Sequence, residues 1–317
     1  MRVAVVGAGA IGGFLAAALA RGGNDVAVVA RGAHLAAIQS NGLTVRGDLG
    51  SFSARVAADS DLSALGSFDA FLLTFKAHHW PSFIDMLAEH AGADATIVTL
   101  QNGVPFWFVR QPPLRSVDPQ GRVGTLFPDS QVVGGAVHIS ARVSVPGVVV
   151  QSGGTRVVIG DPNGANGARA EALAAAMRDA GLEPHVDPDI RQTVWLKLAN
   201  NVGLNPISAL EGRTLRAILS DPRSRDDARE LMLEVLAVGR SLGVVAEVDV
   251  DARLAYAARL ADVKTSMLQD LELGRPLELD PMLGAVIELA ERYGVEVPRV
   301  RDTYRRTREL ERLRGRT

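Results

Sequence analysis

Short apolar, β-branched runs alternate with helical patterns over the first 187 residues of the chain. Five such runs predict β-strands, at residues 2–6, 26–30, 70–74, 96–100 and 132–138. Helical patterns between several of these runs are typical of βαβ units, so the pattern predicts a parallel sheet.

The segment GGAVHISARVSVPGVVVQSGGTRVVIGD is denser in strand signals than the rest of the chain. Pro146-Gly147 and Gly153-Gly154 both have the composition of hairpin turns. The segment therefore predicts antiparallel strands at one side of the sheet. Residues 168–180 then predict a helix that ends at Gly181.

After the turn-rich stretch EPHVDPD the pattern changes to helices separated by breaks, with no further strand signal. The breaks lie near Gly212, Pro222, Gly243, residues 274–276 and Gly294. The chain is therefore predicted to have an α/β fold with two domains: a Rossmann-type dinucleotide-binding domain at 1–187, and an all-helical substrate and catalytic domain at 188–317. The arginine-rich tail from Arg299 predicts a solvated helix face, with a binding arm as the alternative.

Composition narrows the class of protein. The chain has 317 residues, 47% of them hydrophobic, a formal net charge of -2 and no cysteine. The charge favours neither nucleic acid nor anionic lipid as a partner, and the absence of cysteine excludes disulfides and thiolate metal sites. No apolar run is long enough to span a membrane, so we expect a soluble cytoplasmic protein. The adjacent His78 and His79 do not predict a metal site.

The strongest local motif is RVAVVGAGAIGG, a strand followed by Gly7-x-Gly9-x-x-Gly12 and an alanine-rich helix. Gly7 permits a tight turn, Gly9 lets the backbone approach a pyrophosphate, and Gly12 allows close helix–strand packing. The amides at the helix start, including those of Ala10 and Ile11, would bind the phosphates. A glycine-rich turn without a ligand is the alternative.

Three further strand ends carry polar side chains. Arg31 follows the second strand, where an NAD site would place an acid; a guanidinium pairs with a 2′-phosphate, which favours NADPH. Lys76 follows the strand of FLLTFKAHHW, and Asn102 follows that of TIVTLQNGV. Because ligands of open α/β sheets lie at the carboxyl ends of strands, these side chains are candidates for contacting cofactor and substrate.

The stretch WLKLANNVGLNPIS contains a single charge, Lys197, in apolar surroundings. On a helix that Pro206 ends or kinks, Asn201 and Asn205 fall about 40° and about 80° from Lys197. This polar stripe without a second charge indicates a site for an anionic or carbonyl-bearing ligand. The alternative is a lysine that extends to solvent beside asparagines that satisfy a kinked helix.

A second polar cluster lies in KTSMLQDLELGRPLELD. Ser266 belongs to a helix that breaks at residues 274–276, and Glu278 begins the next segment. A carboxylate beyond such a break can pair with a lysine or a substrate hydroxyl, or it can simply cap a helix.

Taken together, GAGAIG, Arg31, FKAHHW, QNG, KLANNVGLNPISAL and TSMLQD…ELD resemble the ketopantoate reductase (2-dehydropantoate 2-reductase) family. The resemblance covers nearly the whole chain. It implies a helical domain like that of 6-phosphogluconate dehydrogenase and NADPH-dependent reduction of 2-dehydropantoate to (R)-pantoate. It also implies that Lys197 is the catalytic lysine and Glu278 the active-site acid. The implied substrate-binding residues are Asn102, Asn201, Asn205 and Ser266, and the implied cofactor-side residues are Arg31, Lys76 and the glycine motif, with Asn102 serving both ligands.

The chain departs from the family pattern in two places. Residues 104–131 are longer and more aromatic than usual, and Trp107 and Phe108 either line an altered pocket or pack an extra loop. Pro281 and Leu283 stand where biosynthetic members often carry an asparagine. A related dehydrogenase acting on another 2-oxo acid or an opine-type substrate, and a non-catalytic NADPH-binding sensor, are the alternative functions. An exposed helical domain is compatible with a homodimer.

Overall fold

A computed structural model of the chain describes residues 1–164, 166–259 and 262–314. The chain forms two compact units. The first consists of Met1–Gln101 and Gly121–Thr193, and the second consists of Asn102–Gln120 and Val194–Thr317. The division falls close to the predicted domain boundary at 187/188, but residues 102–120 pack with the helical unit although they precede that boundary.

The first unit contains all the strands of the described chain. They are β1 Arg2–Val6, β2 Asp25–Val29, β3 Leu43–Gly47, β4 Gly50–Ala54, β5 Ala57–Asp59, β6 Ala70–Leu73, β7 Thr96–Thr99, β8 Val132–Val145, β9 Val148–Gly160 and β10 Glu183–Val186. Its helices are α1 Ala10–Arg21, α2 Gly32–Asn41, α3 Trp80–His90, α4 Arg122–Leu126 and α5 Gly167–Asp179.

The strands form one ten-stranded sheet in the order β4-β3-β9-β8-β7-β6-β1-β2-β5, with β10 also paired to β9. β1 pairs in parallel with both β2 and β6, and β6, β7 and β8 continue the parallel pairing. The α/β class and the parallel sheet are confirmed. Because β1 lies between β2 and β6, the loops after these three strands meet at one edge of the sheet.

The predicted hairpin at Pro146-Gly147 joins β8 and β9, which are antiparallel. The second predicted turn, at Gly153-Gly154, is wrong because both glycines lie inside β9. The β8–β9 register shifts opposite them, between His138 and Ser140. A Cβ atom on Gly154, whose φ is +74°, would lie 2.2 Å from the carbonyl oxygen of His138. The glycines therefore permit a local irregularity in the pairing of two long strands.

Several strands of the sheet were not predicted from the sequence. The β3–β4 hairpin and β5 fall between the predicted strands, and EPHV, interpreted as part of a turn-rich connection, forms β10. β10 pairs in parallel with β9, and its residues alternate between exposed and partly buried. An edge strand of four residues carries little hydrophobic pattern, so pairing rather than sequence determines it.

The helices from residue 190 onward are α6 Ile190–Glu211, α7 Leu215–Ser220, α8 Pro222–Ser241, α9 Val250–Arg259, α10 Ser266–Glu272, α11 Ala285–Tyr293 and α12 Pro298–Arg314. A π-turn at Asp280–Gly284 leads directly into α11. The first residues of α6 belong to the first unit and the remainder to the second. No helix in the described part of the chain is long and apolar enough to cross a membrane.

Helix α6 continues past Pro206 to Glu211, so of the two predicted alternatives, an end or a kink at the proline, the end is excluded. Proline removes one backbone hydrogen bond and disfavours a helix interior. Close packing opposes that effect here: a Cβ atom on Gly203 would lie 2.5 Å from Cγ of Met232 in α8. Trp195 is fully buried, and its indole nitrogen donates to the carbonyl of Val235 at 3.1 Å. Burial of α6 therefore outweighs its single proline.

Residues 102–120 contribute buried aromatic side chains to the second unit. Trp107 and Phe108 are 2% and 3% exposed. The ring of Phe108 stacks on that of Trp195 at a centroid distance of 5.3 Å. In α11, Glu288 accepts hydrogen bonds from the backbone amides of Arg115 and Ser116. The segment is thus an integral part of the helical unit.

Candidate active site

The glycine-rich loop ends at the first turn of α1. The first backbone hydrogen bond of this helix runs from the amide of Gly13 to the carbonyl of Gly9, at 2.7 Å. The preceding amides, those of Ala10, Ile11 and Gly12, therefore have no carbonyl partner within the helix. Gly9 is exposed, so an external anion can reach these amides, and the helix dipole favours one there.

The three motif glycines occupy different environments. Gly7 has φ of +100°, and a Cβ atom on it would lie 2.6 Å from the amide nitrogen of Phe75. A Cβ atom on Gly12 would lie 2.4 Å from Oγ1 of Thr74. At Gly9, in contrast, no described atom other than those of Gly9 and its two chain neighbours lies within 4 Å of the Cβ position. Gly7 and Gly12 therefore permit close packing, whereas Gly9 leaves space beside the loop for a ligand.

Cationic side chains lie beyond the ends of β2 and β6. Arg31 is exposed at the N-cap of α2, with its guanidinium 4.7 Å from the ring centroid of Phe83. Lys76 precedes the short 3₁₀-helix that contains His79. Partial burial, then the positive charges of Arg31 and Lys76, lower the pKa of His79 below its ordinary value. Arg31 and Lys76 therefore form an electropositive cluster, suited to a phosphate, and their charges hold the adjacent His79 ring toward its neutral form.

His79 is a further candidate, which its sequence context predicted only to be no metal ligand. The spacing from Lys76 could have indicated a role beside that lysine. Three residues make one turn of a 3₁₀-helix and place both side chains on the same side. Burial also lowers the pKa of His34, on α2, and Nδ1 of His34 accepts a hydrogen bond from the amide of Gly147 at 3.0 Å.

In the second unit, three predicted residues come together. The ammonium of Lys197, on α6, donates a hydrogen bond to Oδ1 of Asn102 at 3.2 Å. Nδ2 of Asn102 donates to Oε2 of Glu278 at 3.3 Å. We call this arrangement the Lys–Asn–Glu chain. It joins a helix, the segment after β7 and the segment before the π-turn.

The electrostatics of Lys197 suit a proton donor. Burial lowers the pKa of Lys197 to about 8, while the negative charge of Glu278 acts in the opposite direction. An ammonium with this pKa is still mostly protonated at neutral pH, yet it releases its proton far more readily than an exposed lysine. A pKa close to the working pH is what general acid catalysis requires.

Backbone contacts hold the segment of Asn102 against the segment of Glu278. The amide of Val104 donates to the carbonyl of Pro281 at 2.8 Å. Gly103, between Asn102 and Val104, has φ of +92°, and a Cβ atom on it would lie 2.5 Å from the carbonyl oxygen of Pro281. Only glycine permits this approach. The amide of Leu277 in turn donates to Oε1 of Glu311 on α12 at 2.7 Å.

The π-turn after Glu278 is fixed to α12 by a polar cluster. The hydroxyl of Tyr304 donates to Oδ1 of Asp280 at 2.5 Å, and Arg308 donates to both. These neighbours raise the pKa of Arg308 above its ordinary value. Sequence reasoning did not identify this support, because its members lie on two segments whose contact no local pattern reveals.

The remaining predicted substrate residues do not form one contact network. Asn201 and Asn205 follow Lys197 on α6 by one and two turns, and Asn205 is 8% exposed. Neither asparagine makes a side-chain hydrogen bond to another described residue. Ser266 is exposed at the first position of α10, and within the described ranges no hydrogen bond joins it to the Lys–Asn–Glu chain. The binding roles of these three residues stay predictions.

Two sequence models of one family match the chain. The model described as "Ketopantoate reductase PanE/ApbA" matches residues 3–164, and that described as "Ketopantoate reductase PanE/ApbA C terminal" matches residues 189–311. The chain belongs to the ketopantoate reductase family. The resemblance predicted from the motifs is confirmed, and membership makes the chain an oxidoreductase that depends on a nicotinamide dinucleotide.

Individual ketopantoate reductases are similar to this chain over almost their whole length. The 2-dehydropantoate 2-reductase of Mesorhizobium japonicum is 42% identical over 297 residues, which cover 91% of each chain. The crystal structure of 2-dehydropantoate 2-reductase from Geobacter metallireducens has a TM-score of 0.88 at 29% identity, covering 98% of this chain and 99% of that one.

A structure of D-mandelate dehydrogenase with NADH and anilino(oxo)acetate has the same TM-score of 0.88 at only 20% identity, covering 99% of this chain and 100% of that one. Identity this low shows a shared fold and no more.

Proposed function

We propose that the chain reduces 2-dehydropantoate to (R)-pantoate with NADPH. The observation that carries the proposal is the Lys–Asn–Glu chain, in which burial lowers the pKa of Lys197 to about 8. The 42% identical relative from Mesorhizobium japonicum, a 2-dehydropantoate 2-reductase, supports the choice of substrate.

The residues of the first unit fit a phosphorylated dinucleotide, whose nicotinamide supplies the hydride when bound. The open space beside Gly9 and the amides at the start of α1 suit the pyrophosphate. Arg31 and Lys76 offer positive charge for a 2′-phosphate, and the neutral ring of His79 beside them can donate a hydrogen bond to it. A guanidinium cannot accept hydrogen bonds from a ribose diol, so this cluster favours NADPH over NADH.

The residues of the second unit perform the acid chemistry. When hydride adds to the ketone carbon, negative charge develops on the carbonyl oxygen. Lys197 stabilises that charge and then transfers its proton to the same oxygen, which gives the hydroxyl of the product. Asn102 holds the ammonium in place, and Glu278 anchors Asn102 and accepts a hydrogen bond from the substrate hydroxyl. Asn201, Asn205 and Ser266 orient the rest of the substrate.

The test is loss of NADPH absorbance with purified protein and a panel of 2-oxo acids: 2-dehydropantoate, 3-methyl-2-oxobutanoate, pyruvate and phenylglyoxylate. We expect 2-dehydropantoate to give the highest kcat/KM. A higher value for phenylglyoxylate would favour a related dehydrogenase acting on an aromatic 2-oxo acid. NADPH binding without turnover of any compound would favour the sensor. A cytoplasmic location and a homodimer stay predictions from the sequence.

A further inference from the structure

One asparagine of α6, Asn200, lies outside the polar stripe and has no role in the proposed chemistry. Asn200 precedes Asn201 and follows Lys197 by three residues, so it lies on the adjacent turn, about 4.5 Å further along the helix axis. Its Oδ1 atom accepts a hydrogen bond from Nη1 of Arg253, on α9, at 3.4 Å. A second cation thus lies beside α6, at the turn that follows the proposed proton donor.

Arg253 has no carboxylate partner among the described residues. Asp251, the nearest acid on α9, is paired with Arg229 at 3.2 Å. Arg253 is partly buried, and burial alone lowers its pKa, with no neighbouring negative charge acting against it. A partly desolvated guanidinium without a counter-ion is energetically unfavourable, and an external anion would relieve that cost.

We propose that Arg253 binds the carboxylate of the 2-oxo acid substrate and that Asn200 holds the guanidinium in position. This inference rests on the proposed function and adds a recognition element to it. A 2-oxo acid carries its carboxylate on the carbon next to the reacting carbonyl. Lys197 serves the carbonyl oxygen, and Arg253 presents the paired N–H donors that match a carboxylate.

The test separates recognition of the carboxylate from a general effect on structure. Wild type and Arg253→Gln are assayed with NADPH and two substrates, 2-dehydropantoate and its primary amide, which keeps the ketone but lacks the negative charge. We expect Arg253→Gln to lower kcat/KM for the acid about 10- to 100-fold, mainly through KM, and to leave the amide nearly unchanged. Arg253→Lys should restore part of the activity with the acid.

Two further variants make the result specific. Arg259→Gln removes an exposed arginine from the same helix and should leave the acid-to-amide ratio at the wild-type value. Asn200→Ser should lower the ratio by a smaller factor than Arg253→Gln, because the guanidinium remains but loses its partner. An equal loss with acid and amide in Arg253→Gln, or an unchanged ratio, would overturn the inference.

Failure of the proposed function gives a different result. If wild type turned over no 2-oxo acid, the proposed reaction would be wrong. The inference would then be judged by calorimetric binding of pantoate, a 2-hydroxy acid, in the presence of NADP⁺. Weaker binding to Arg253→Gln than to Arg259→Gln would support it, and equal binding to both variants would overturn it.

Discussion

Lys197 donates a hydrogen bond to Oδ1 of Asn102, with 3.2 Å between the two atoms. Because the same amide donates from Nδ2 to Glu278, its orientation is fixed at both ends. Reversing the amide would place its N–H groups against an ammonium and its oxygen against a carboxylate. Asn102 therefore holds the lysine and the acid in a single arrangement, with its amide dipole aligned between their opposite charges.

Asn102→Asp should change the pH dependence of the reaction. The substitution keeps the shape of the side chain but adds negative charge beside Lys197, which raises the pKa of the lysine. We expect the alkaline limb of the kcat/KM profile to move up by about one pH unit or more. Repulsion between the introduced carboxylate and Glu278 should also lower kcat. Asn163→Asp, at an exposed asparagine of the first unit, is the matched control.

The wild-type profile should itself show the titration of Lys197. The proposed proton donor is the ammonium, and its pKa is about 8. We therefore expect kcat/KM for reduction to be constant below that pH and to fall about tenfold per unit above it. Steady-state rates in buffers of constant ionic strength measure this. Activity that instead rose through pH 8 would indicate that the neutral amine is the active form.

Lys197→Met should stabilise the protein while it abolishes activity. The pKa of Lys197 falls from 10.5 in the unfolded chain to about 8 in the folded one. The unfolded chain thus binds more protons between these values, so wild-type stability should rise with pH there. Below pH 8 the ammonium stays protonated in the folded protein, and its burial then lowers the free energy of unfolding by at most about 3 kcal/mol. Lys197→Met removes this cost, so its free energy of unfolding at pH 7, measured with denaturant, should exceed that of wild type. The increase should be smaller than the full cost, because the hydrogen bond to Asn102 is lost as well.

The stability gain should shrink as pH rises above 8, because the wild-type lysine then loses its proton. Lys264→Met provides the control, since Lys264 is an exposed lysine paired with Glu272 at 2.7 Å. Its removal should change the free energy of unfolding by no more than about 0.5 kcal/mol at any pH. A Lys197→Met variant that is less stable than wild type at pH 7 would contradict the prediction.

Features with a local pattern could be predicted from the sequence. The glycine loop after β1 follows from residue spacing, and the common face of Lys197, Asn201 and Asn205 follows from helical periodicity. The sequence predicts a direct pairing of Lys197 with Glu278. In the structure Asn102 lies between them and is hydrogen-bonded to both. The sequence predicts contacts of Asn102 with substrate and cofactor, whereas its contact with α6 depends on tertiary packing and has no local pattern.

The differences between prediction and structure have physical causes that no single segment reveals. Pro206 breaks an isolated helix, yet α6 continues because it is packed against α8. β10 carries little hydrophobic pattern of its own and exists through its pairing with β9. Residues 102–120 follow a strand of the sheet but bury their aromatic side chains in the helical unit. In each case tertiary contacts outweigh local propensity.

Arg31→Ala should narrow the preference for NADPH over NADH. The guanidinium lies in an electropositive cluster with Lys76, beside the ring of His79, and a dianionic 2′-phosphate would gain most from it. We expect the Kd of NADPH to rise about 10- to 100-fold and that of NADH to stay nearly constant, measured by fluorescence titration. Arg46→Ala removes an exposed arginine from β3 and serves as the control. An unchanged ratio of the two Kd values would exclude this role for Arg31.

Phe108→Ala should affect stability far more than substrate choice. Phe108 is 3% exposed and stacks on fully buried Trp195, which favours packing over the alternative that it lines a pocket. Emptying such a site costs about 3–5 kcal/mol, so the denaturant midpoint should fall sharply. Phe108→Leu should recover much of this loss, and Tyr293→Ala, at a 49% exposed aromatic residue, should lose little. If Phe108→Ala kept its stability but reordered kcat/KM among 2-oxo acids, Phe108 would belong to the substrate pocket.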